Sequence, residues 1–314
     1  MTRTDPKPAR TLGPPSANAA ISHRFSAVRA LTARRPLTAF LIIVFGVEYP
    51  LVALAILATH GVLPGGEGVA RLPVPPDQLL GLLMTLAALL PATLYVTWAT
   101  DGGAGVRQLF ARMVRWRVGA SWWLTVLFGL PTLTVGIALL LGDTPRAVDP
   151  VAFIVGQLAL LAINLALVNL WEESAWAGFL QTRLGRRHNV FLAALITAVP
   201  FAFAHWPLAF LGEVTVASVA IGLLTYLLLG VIFRPMIGVF LQGTRGSVLA
   251  VAALHSVFNR TNNDNGIAAG LLDGDGRGLA TFFGVIVLTG AIVAVSRRRR
   301  LGRNAGAPRS ISHR

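Results

Sequence analysis

Residues 171–178 read WEESAWAG, and they close an apolar run that begins near Val151. Burying a single unpaired carboxylate in hydrocarbon costs at least ~3 kcal/mol, even on the most lenient insertion scale. The neighbouring carboxylates of Glu172 and Glu173 also repel each other. Such a pair gives an apolar helix no packing benefit, so the stretch predicts a functional site inside a membrane-spanning segment.

The composition predicts a membrane protein. Of 314 residues, 54% are hydrophobic and 13% are charged, whereas about 25% are charged in an ordinary soluble domain. Several apolar runs reach the ~18 residues needed to cross a bilayer. The predicted fold class is therefore all-α, a polytopic transmembrane helical bundle. The absence of cysteine excludes disulfides, thiolate metal sites and a cysteine nucleophile.

The net charge of +14 lies in tails and loops, which indicates membrane lipids as partners and no nucleic acid. The eight predicted spans are 37–59, 79–100, 120–142, 151–178, 189–211, 214–233, 247–260 and 279–296. The seventh is short and could extend backward through Met236–Leu241. Residues 1–36 are predicted to be a disordered basic cytoplasmic tail and 297–314 a second basic cytoplasmic tail, flanking a bundle over 37–296.

Loop charges predict the topology. Arginine-rich loops at 101–119, 179–188 and 234–246 alternate with arginine-poor loops at 60–78, 143–150 and 261–278. By the positive-inside rule, this alternation predicts eight spans in the cell (plasma) membrane with both termini cytoplasmic.

Two histidines lie within apolar segments. His205 follows Phe201 by four residues, and His255 precedes Asn259 by four, so each pair shares one helix face. Taken singly, His205 fits an interfacial aromatic belt equally well. His255 equally fits hydrogen bonding between packed helices.

The acidic residues also allow more than one interpretation. Glu172 and Glu173 could be an interfacial pair that answers the arginines of 179–188, and Asn169, one turn earlier, could orient a carboxylate. Glu48 lies midway through the first span beside Pro50. It could be a supporting partner of the site, part of a proton path or a structural bond to another helix.

Together these motifs resemble the CAAX-protease and bacteriocin-processing (CPBP, or Abi) family of intramembrane endopeptidases. The family's first motif is Glu-Glu-x-x-x-Arg, and residues 172–184 read EESAWAGFLQTRL. The second motif corresponds to Phe201–His205 and the third to His255–Asn259, in the same order. The resemblance covers 151–260. The motif arginine is Ala177 here, and Arg183 is a candidate to replace it.

The resemblance implies hydrolysis of a peptide bond in a hydrophobic or lipidated membrane substrate. A buried glutamate can act as a general base on water, and His and Asn side chains can stabilise an oxyanion. The predicted catalytic residues are Glu172, Glu173, His205, His255 and Asn259. Glu172 is the expected base, and no metal is expected because Asn is a poor zinc ligand. The zinc alternative uses Glu172, His205 and His255.

The predicted helix bounds place the catalytic residues at different depths in the membrane, although one reaction requires them to meet. At 1.5 Å per residue, Glu172 lies ~9 Å from the end of its span at 178, whereas His205 lies ~24 Å from 189. The residues meet only if the fourth helix continues past 178 or the fifth begins below the membrane.

Two other functions remain open at this stage. Ala177 favours a catalytically inactive CPBP-fold scaffold or a bacteriocin-immunity protein. A proton-coupled transporter would use Glu48, Glu172 and Glu173 as relay carboxylates, although no duplicated half with matched broken helices is visible. The sequence indicates no oligomeric state. Convergence of the glutamates and histidines at one place would favour hydrolysis.

Overall fold

The computed structural model describes residues 17–64 and 76–305, and it is a helical bundle. In chain order, the helices are α1 (Ala17–Arg34), α2 (Pro36–Thr59), α3 (Pro76–Met113), α4 (Ala120–Leu140), α5 (Pro150–Leu184), α6 (Val190–Phe210), α7 (Val216–Gly243), α8 (Val248–Asn262), α9 (Ile267–Leu271) and α10 (Arg277–Ala305). A two-residue antiparallel pair joins β1 (Thr144–Pro145) to β2 (Leu272–Asp273).

The prediction of a polytopic bundle is confirmed. Seven helices in the described residues are long and apolar enough to span a bilayer, namely α2 to α7 and the first twenty residues of α10. The expected seventh span is α8, which has 15 residues and is almost wholly buried. Its suggested extension through Met236–Leu241 is wrong, because those residues continue α7 to Gly243.

The structure also corrects the predicted amino-terminal tail. Ala17–Arg34 forms α1 and is therefore not disordered, whereas residues 1–16 lie outside the described residues. Pro36 opens α2 at a position where its missing N–H costs nothing. At the other end, α10 continues through the expected basic tail as far as Ala305.

The arginine-rich segments meet at one end of the bundle. Arg112 of α3 donates to the carbonyl oxygens of Gly246 (2.8 Å) and Gly178 (2.9 Å), and to the hydroxyl of Thr182 (3.0 Å). One side chain thus ties α3 to α5 and to the turn after α7. A cavity of about 760 Å³ at this end reaches Gln181.

Two of the arginine-poor loops contact each other, and neither takes part in the contacts of Arg112. Arg146 donates to Asp273 (Nε–Oδ1 2.9 Å), and this hydrogen bond holds the pKa of the Asp273 carboxyl below its usual value. The amide of Gly276 donates to Asp143 at 3.0 Å. Loops 143–150 and 261–278 are therefore neighbours, as expected of loops predicted on the same side.

Aromatic packing joins the helices that carry the motifs. The ring of Trp176 on α5 lies 5.9 Å from that of Phe40 on α2 and 5.9 Å from that of Phe201 on α6. On α7, Gly230 allows close approach to α6, since a Cβ there would lie 3.0 Å from the Ala198 carbonyl oxygen. This packing places α2, α5, α6 and α7 around the glutamates.

Candidate active site

The glutamates lie on an irregular part of α5. Leu170–Glu173 is α-helical and is flanked by π-helical stretches at Leu165–Asn169 and Ser174–Gln181. Such π-helical insertions occur frequently at functional sites. The helix continues to Leu184, six residues beyond the predicted end. This removes ~9 Å of the expected mismatch in depth between Glu172 and His205.

Glu173 is completely buried in a network of charged groups. Arg234 Nη1 lies 2.8 Å and 3.1 Å from the two carboxylate oxygens, and His255 Nδ1 lies 2.9 Å from Oε1. Arg234 is also fully buried, and its Nη2 donates to Gln181 Oε1 at 2.7 Å. Both carboxylate oxygens are thus engaged, which commits Glu173 to electrostatic support.

Arg234 corrects two predictions. It was assigned to a loop, whereas it lies in the middle of α7. Arg183 was a candidate to replace the motif arginine, but it pairs with Asp101 at 2.6 Å and with Thr100 at 2.6 Å. Among the described residues, the guanidinium that pairs with Glu173 is therefore that of Arg234 on α7.

A recognisable signal for Arg234 exists in the sequence. The segment from Val216 to Leu241 is predominantly apolar and is interrupted by a single arginine. A charged residue inside such a stretch indicates a buried partner.

Glu172 is nearly buried but less constrained than Glu173. Its Oε2 accepts a 3.4 Å hydrogen bond from Asn169, whose own oxygen accepts from Ser256 at 2.9 Å. Asn169 thus contacts the carboxylate as suggested, and Ser256 of α8 fixes Asn169. Glu172 Oε1 has no hydrogen-bond partner among the described residues, and it lies 3.5 Å from His205 Nε2.

Hydrogen bonds define the orientation of both histidines. His205 Nδ1 lies 2.8 Å from the Phe201 carbonyl oxygen, which can only accept, so Nδ1 carries the proton. His255 Nδ1 likewise donates to the Glu173 carboxylate. In the neutral rings, Nε2 of each histidine is therefore an acceptor, and that of His205 faces Glu172 Oε1.

The structure brings together four of the five predicted catalytic residues, namely Glu172, Glu173, His205 and His255. Asn259 lies on α8 one turn after His255 and is partly buried, and its side chain makes no hydrogen bond to the described residues. None of the five lines the cavity at the arginine-rich end. We expect water to reach the site from this arginine-rich end, which is the predicted cytoplasmic side, and this stays a prediction.

The acidic and histidine side chains of the site do not form a metal-binding group among the described residues. Within 17–64 and 76–305, no three His, Asp or Glu side chains form a group suited to a metal ion. In the set proposed for zinc, His205 Nε2 lies 3.5 Å from Glu172, whereas His255 directs Nδ1 to Glu173 and that nitrogen lies 3.9 Å from Glu172. The metal-free reaction stays a prediction.

Comparison with known proteins agrees with the geometry. No curated protein matches the chain. Residues 154–261 match the family model described as Rce1-like, type II CAAX prenyl endopeptidase. The matched segment contains all three motifs and nearly coincides with the predicted core at 151–260. The resemblance to the CPBP family is thereby confirmed, since this segment is similar to the type II CAAX prenyl endopeptidases that the family model describes.

Proposed function

We propose that the protein is an intramembrane endopeptidase that hydrolyses a peptide bond of a membrane-associated or lipidated protein, using water activated by Glu172. The Rce1-like match supports a CAAX-protease type of activity. The seven apolar helices support action within a membrane. We assign the protein to the plasma membrane with both termini, including the basic segments of 1–36 and 297–314, in the cytoplasm.

One observation carries the choice of base. Glu172 Oε1 is buried, has no hydrogen-bond donor among the described groups, and lies 3.5 Å from an imidazole nitrogen that accepts in the neutral ring. A water molecule that lies beside this pair and contacts both acceptors would direct a proton to Glu172. Glu173 is unsuited to this role because Arg234 and His255 occupy its oxygens.

The proposed reaction follows from this arrangement. The water oxygen attacks the peptide carbonyl carbon while its proton passes to Glu172, and the carbonyl π electrons move to the oxygen. Collapse of this tetrahedral intermediate breaks the C–N bond, and Glu172 returns the proton to the leaving amine. Since His255 Nδ1–H is engaged with Glu173, we assign stabilisation of the oxyanion to the Asn259 amide.

The competing functions receive less support. Ala177 favoured an inactive scaffold, but Arg234 supplies Glu173 with the guanidinium that Ala177 lacks. A transporter would string its carboxylates along a path through the bilayer. The clustering of both histidines on the two glutamates favours a single reacting centre.

The decisive experiment is turnover by Glu172→Gln in proteoliposomes. The substrate is a quenched fluorogenic peptide ending in farnesylated Cys-Val-Leu-Ser, a typical prenylation sequence. Glu172→Gln should fold normally and lose turnover, because it removes the base with little change in volume. Glu213→Gln, in the exposed loop between α6 and α7, is the matched control and should remain active.

A double variant sharpens the test. If Glu172 and His205 serve one step, Glu172→Gln combined with His205→Ala should cost little more than Glu172→Gln alone. Near-normal turnover by Glu172→Gln would refute the assignment.

A further inference from the structure

Glu48 is a buried acid that the proposed reaction does not use. It lies midway along α2, its side chain is 0% exposed, and neither carboxyl oxygen has a hydrogen-bond partner in the described part of the chain. The other residues of the same face, at intervals of four, are Phe40, Val44 and Val52, which are also 0% exposed. Glu48 is thus the one polar member of an apolar stripe.

This stripe faces the candidate active site. Phe40 packs edge-on against Trp176, one turn from Glu172 on α5. Tyr49, next to Glu48, donates its hydroxyl to the Phe203 carbonyl oxygen at 3.0 Å, two residues before His205 on α6. Glu48 also interacts electrostatically with Glu172. Contacts on both sides therefore pack the part of α2 that carries Glu48 against the helices that carry Glu172 and His205.

A packing role does not explain this residue. A buried polar group without a partner destabilises a fold, and an aliphatic side chain of similar size avoids that cost. Val44 and Val52 show that the same face accepts aliphatic residues one turn away in either direction. A ligand that brings a hydrogen-bond donor to this position would explain why a glutamate is found there.

A peptide substrate brings such donors. Inside a membrane protein, every backbone N–H that leaves water needs a new acceptor. In this region, Glu173 and Oε2 of Glu172 already accept hydrogen bonds, and Oε1 of Glu172 is assigned to the water. A carboxyl group can accept a hydrogen bond in either protonation state, and both oxygens of Glu48 are available.

We propose that Glu48 is a substrate-binding residue of this site, and that its carboxyl group accepts a hydrogen bond from a backbone N–H of the peptide beside the scissile bond. The proposal rests on the proposed endopeptidase function. It makes α2 one side of the substrate-binding site. This helix lies outside the segment that matches the Rce1-like family model.

The test combines Glu48 variants with altered peptides. The farnesylated fluorogenic peptide is prepared with each backbone amide near the scissile bond N-methylated in turn, which removes one N–H at a time. With the wild-type protein, methylation of one amide should lower kcat/KM by about 10- to 100-fold. With Glu48→Leu, the unmodified peptide should be slow by a similar factor, and the same methylation should cost no more than about 2-fold further.

Thermal stability, measured together with activity, distinguishes a functional role of Glu48 from a packing role. Glu48→Leu should raise Tm while lowering kcat/KM, since it removes an unpartnered polar group from the interior. Glu48→Gln retains an acceptor oxygen and should keep most of the activity together with the methylation penalty. Val52→Ala, on the same stripe, should lower Tm and leave the methylation penalty unchanged.

The outcomes distinguish this proposal from the function on which it rests. Turnover by Glu172→Gln would overturn the proposed mechanism. An inactive Glu172→Gln, together with a Glu48→Leu variant that cleaves normally and keeps the full methylation penalty, would overturn the role of Glu48 alone. The same comparison of methylated and unmethylated peptides can be made by binding to Glu172→Gln protein in nanodiscs, with and without Glu48→Leu, where no cleavage occurs. A peptide neither bound nor cleaved by the wild-type protein would overturn both.

Discussion

Replacement of Arg234 by leucine should destabilise the protein by about 3–5 kcal/mol, because it leaves a buried carboxylate without its strongest partner. Arg234 and Glu173 are both 0% exposed, and Nη1 lies 2.8 Å from Oε1 and 3.1 Å from Oε2. Leucine also removes the 2.7 Å hydrogen bond to Gln181, which accounts for about 1 kcal/mol of this loss. Within the described part of the chain, His255 would then be the one side chain still bonded to the Glu173 carboxylate.

Thermal unfolding of the detergent-solubilised protein measures this effect, with the fluorescence of its seven tryptophans as the signal. At 2–4 °C per kcal/mol, a loss of 3–5 kcal/mol lowers Tm by roughly 6–20 °C. The Tm of Arg234→Lys should lie between those of the wild-type protein and Arg234→Leu, because an ammonium group cannot reproduce the planar geometry with which the guanidinium bonds two partners. Glu173→Gln combined with Arg234→Leu should be more stable than Arg234→Leu alone, since no unpaired charge remains.

A rescue variant tests whether α7 has taken over the role of the motif arginine. Ala177→Arg places a guanidinium one turn after Glu173 on α5, where the family motif has it, and should recover stability and turnover in the Arg234→Leu protein. In the wild-type protein, Ala177→Arg should destabilise instead, because Ala177 is fully buried. A Tm for Arg234→Leu within about 1 °C of wild type, or no advantage of the double variant, would refute the reasoning.

Topology and metal dependence give two further predictions. Reporter fusions at residue 70 and residue 110 should report opposite sides of the membrane, because the segments around them differ in arginine content. The same side for both would contradict the eight-span topology. The purified protein should contain no stoichiometric zinc and should keep its turnover in chelators. Tightly bound zinc, lost together with activity in His255→Ala, would contradict the metal-free reaction.

The contrast between polar and apolar residues made much of the site predictable. Glu172, His205 and His255 are conspicuous because they interrupt apolar runs, and the helical repeat paired each histidine with a residue on its own face. The structure brings these three side chains together. Asn169 was recognisable in the same way, one turn before Glu172.

The rest depended on where helices end, which hydropathy does not determine. Arg234 was misassigned because a charged residue next to Pro235 resembles the end of a span, whereas α7 continues for nine more residues to Gly243. The arginine is tolerated there because Glu173 and Gln181 from α5 pair with it, and such pairing is a tertiary property. The packing that buries Glu48 against α5 and α6 likewise joins segments far apart in the chain.

The position of Arg234 on α7 has a consequence for biosynthesis. Glu173 and Arg234 are 61 residues apart in the chain. At a synthesis rate of 5–20 residues per second, the ribosome therefore adds Glu173 ~3–12 s before it adds Arg234. Throughout that interval, insertion of α5 alone would leave the acid unpaired in lipid at a cost of ~3 kcal/mol. Pairing of Glu173 with Arg234 removes this cost once α7 has been inserted beside α5. The fold of α5 in the bilayer is therefore completed by a helix that is synthesised later.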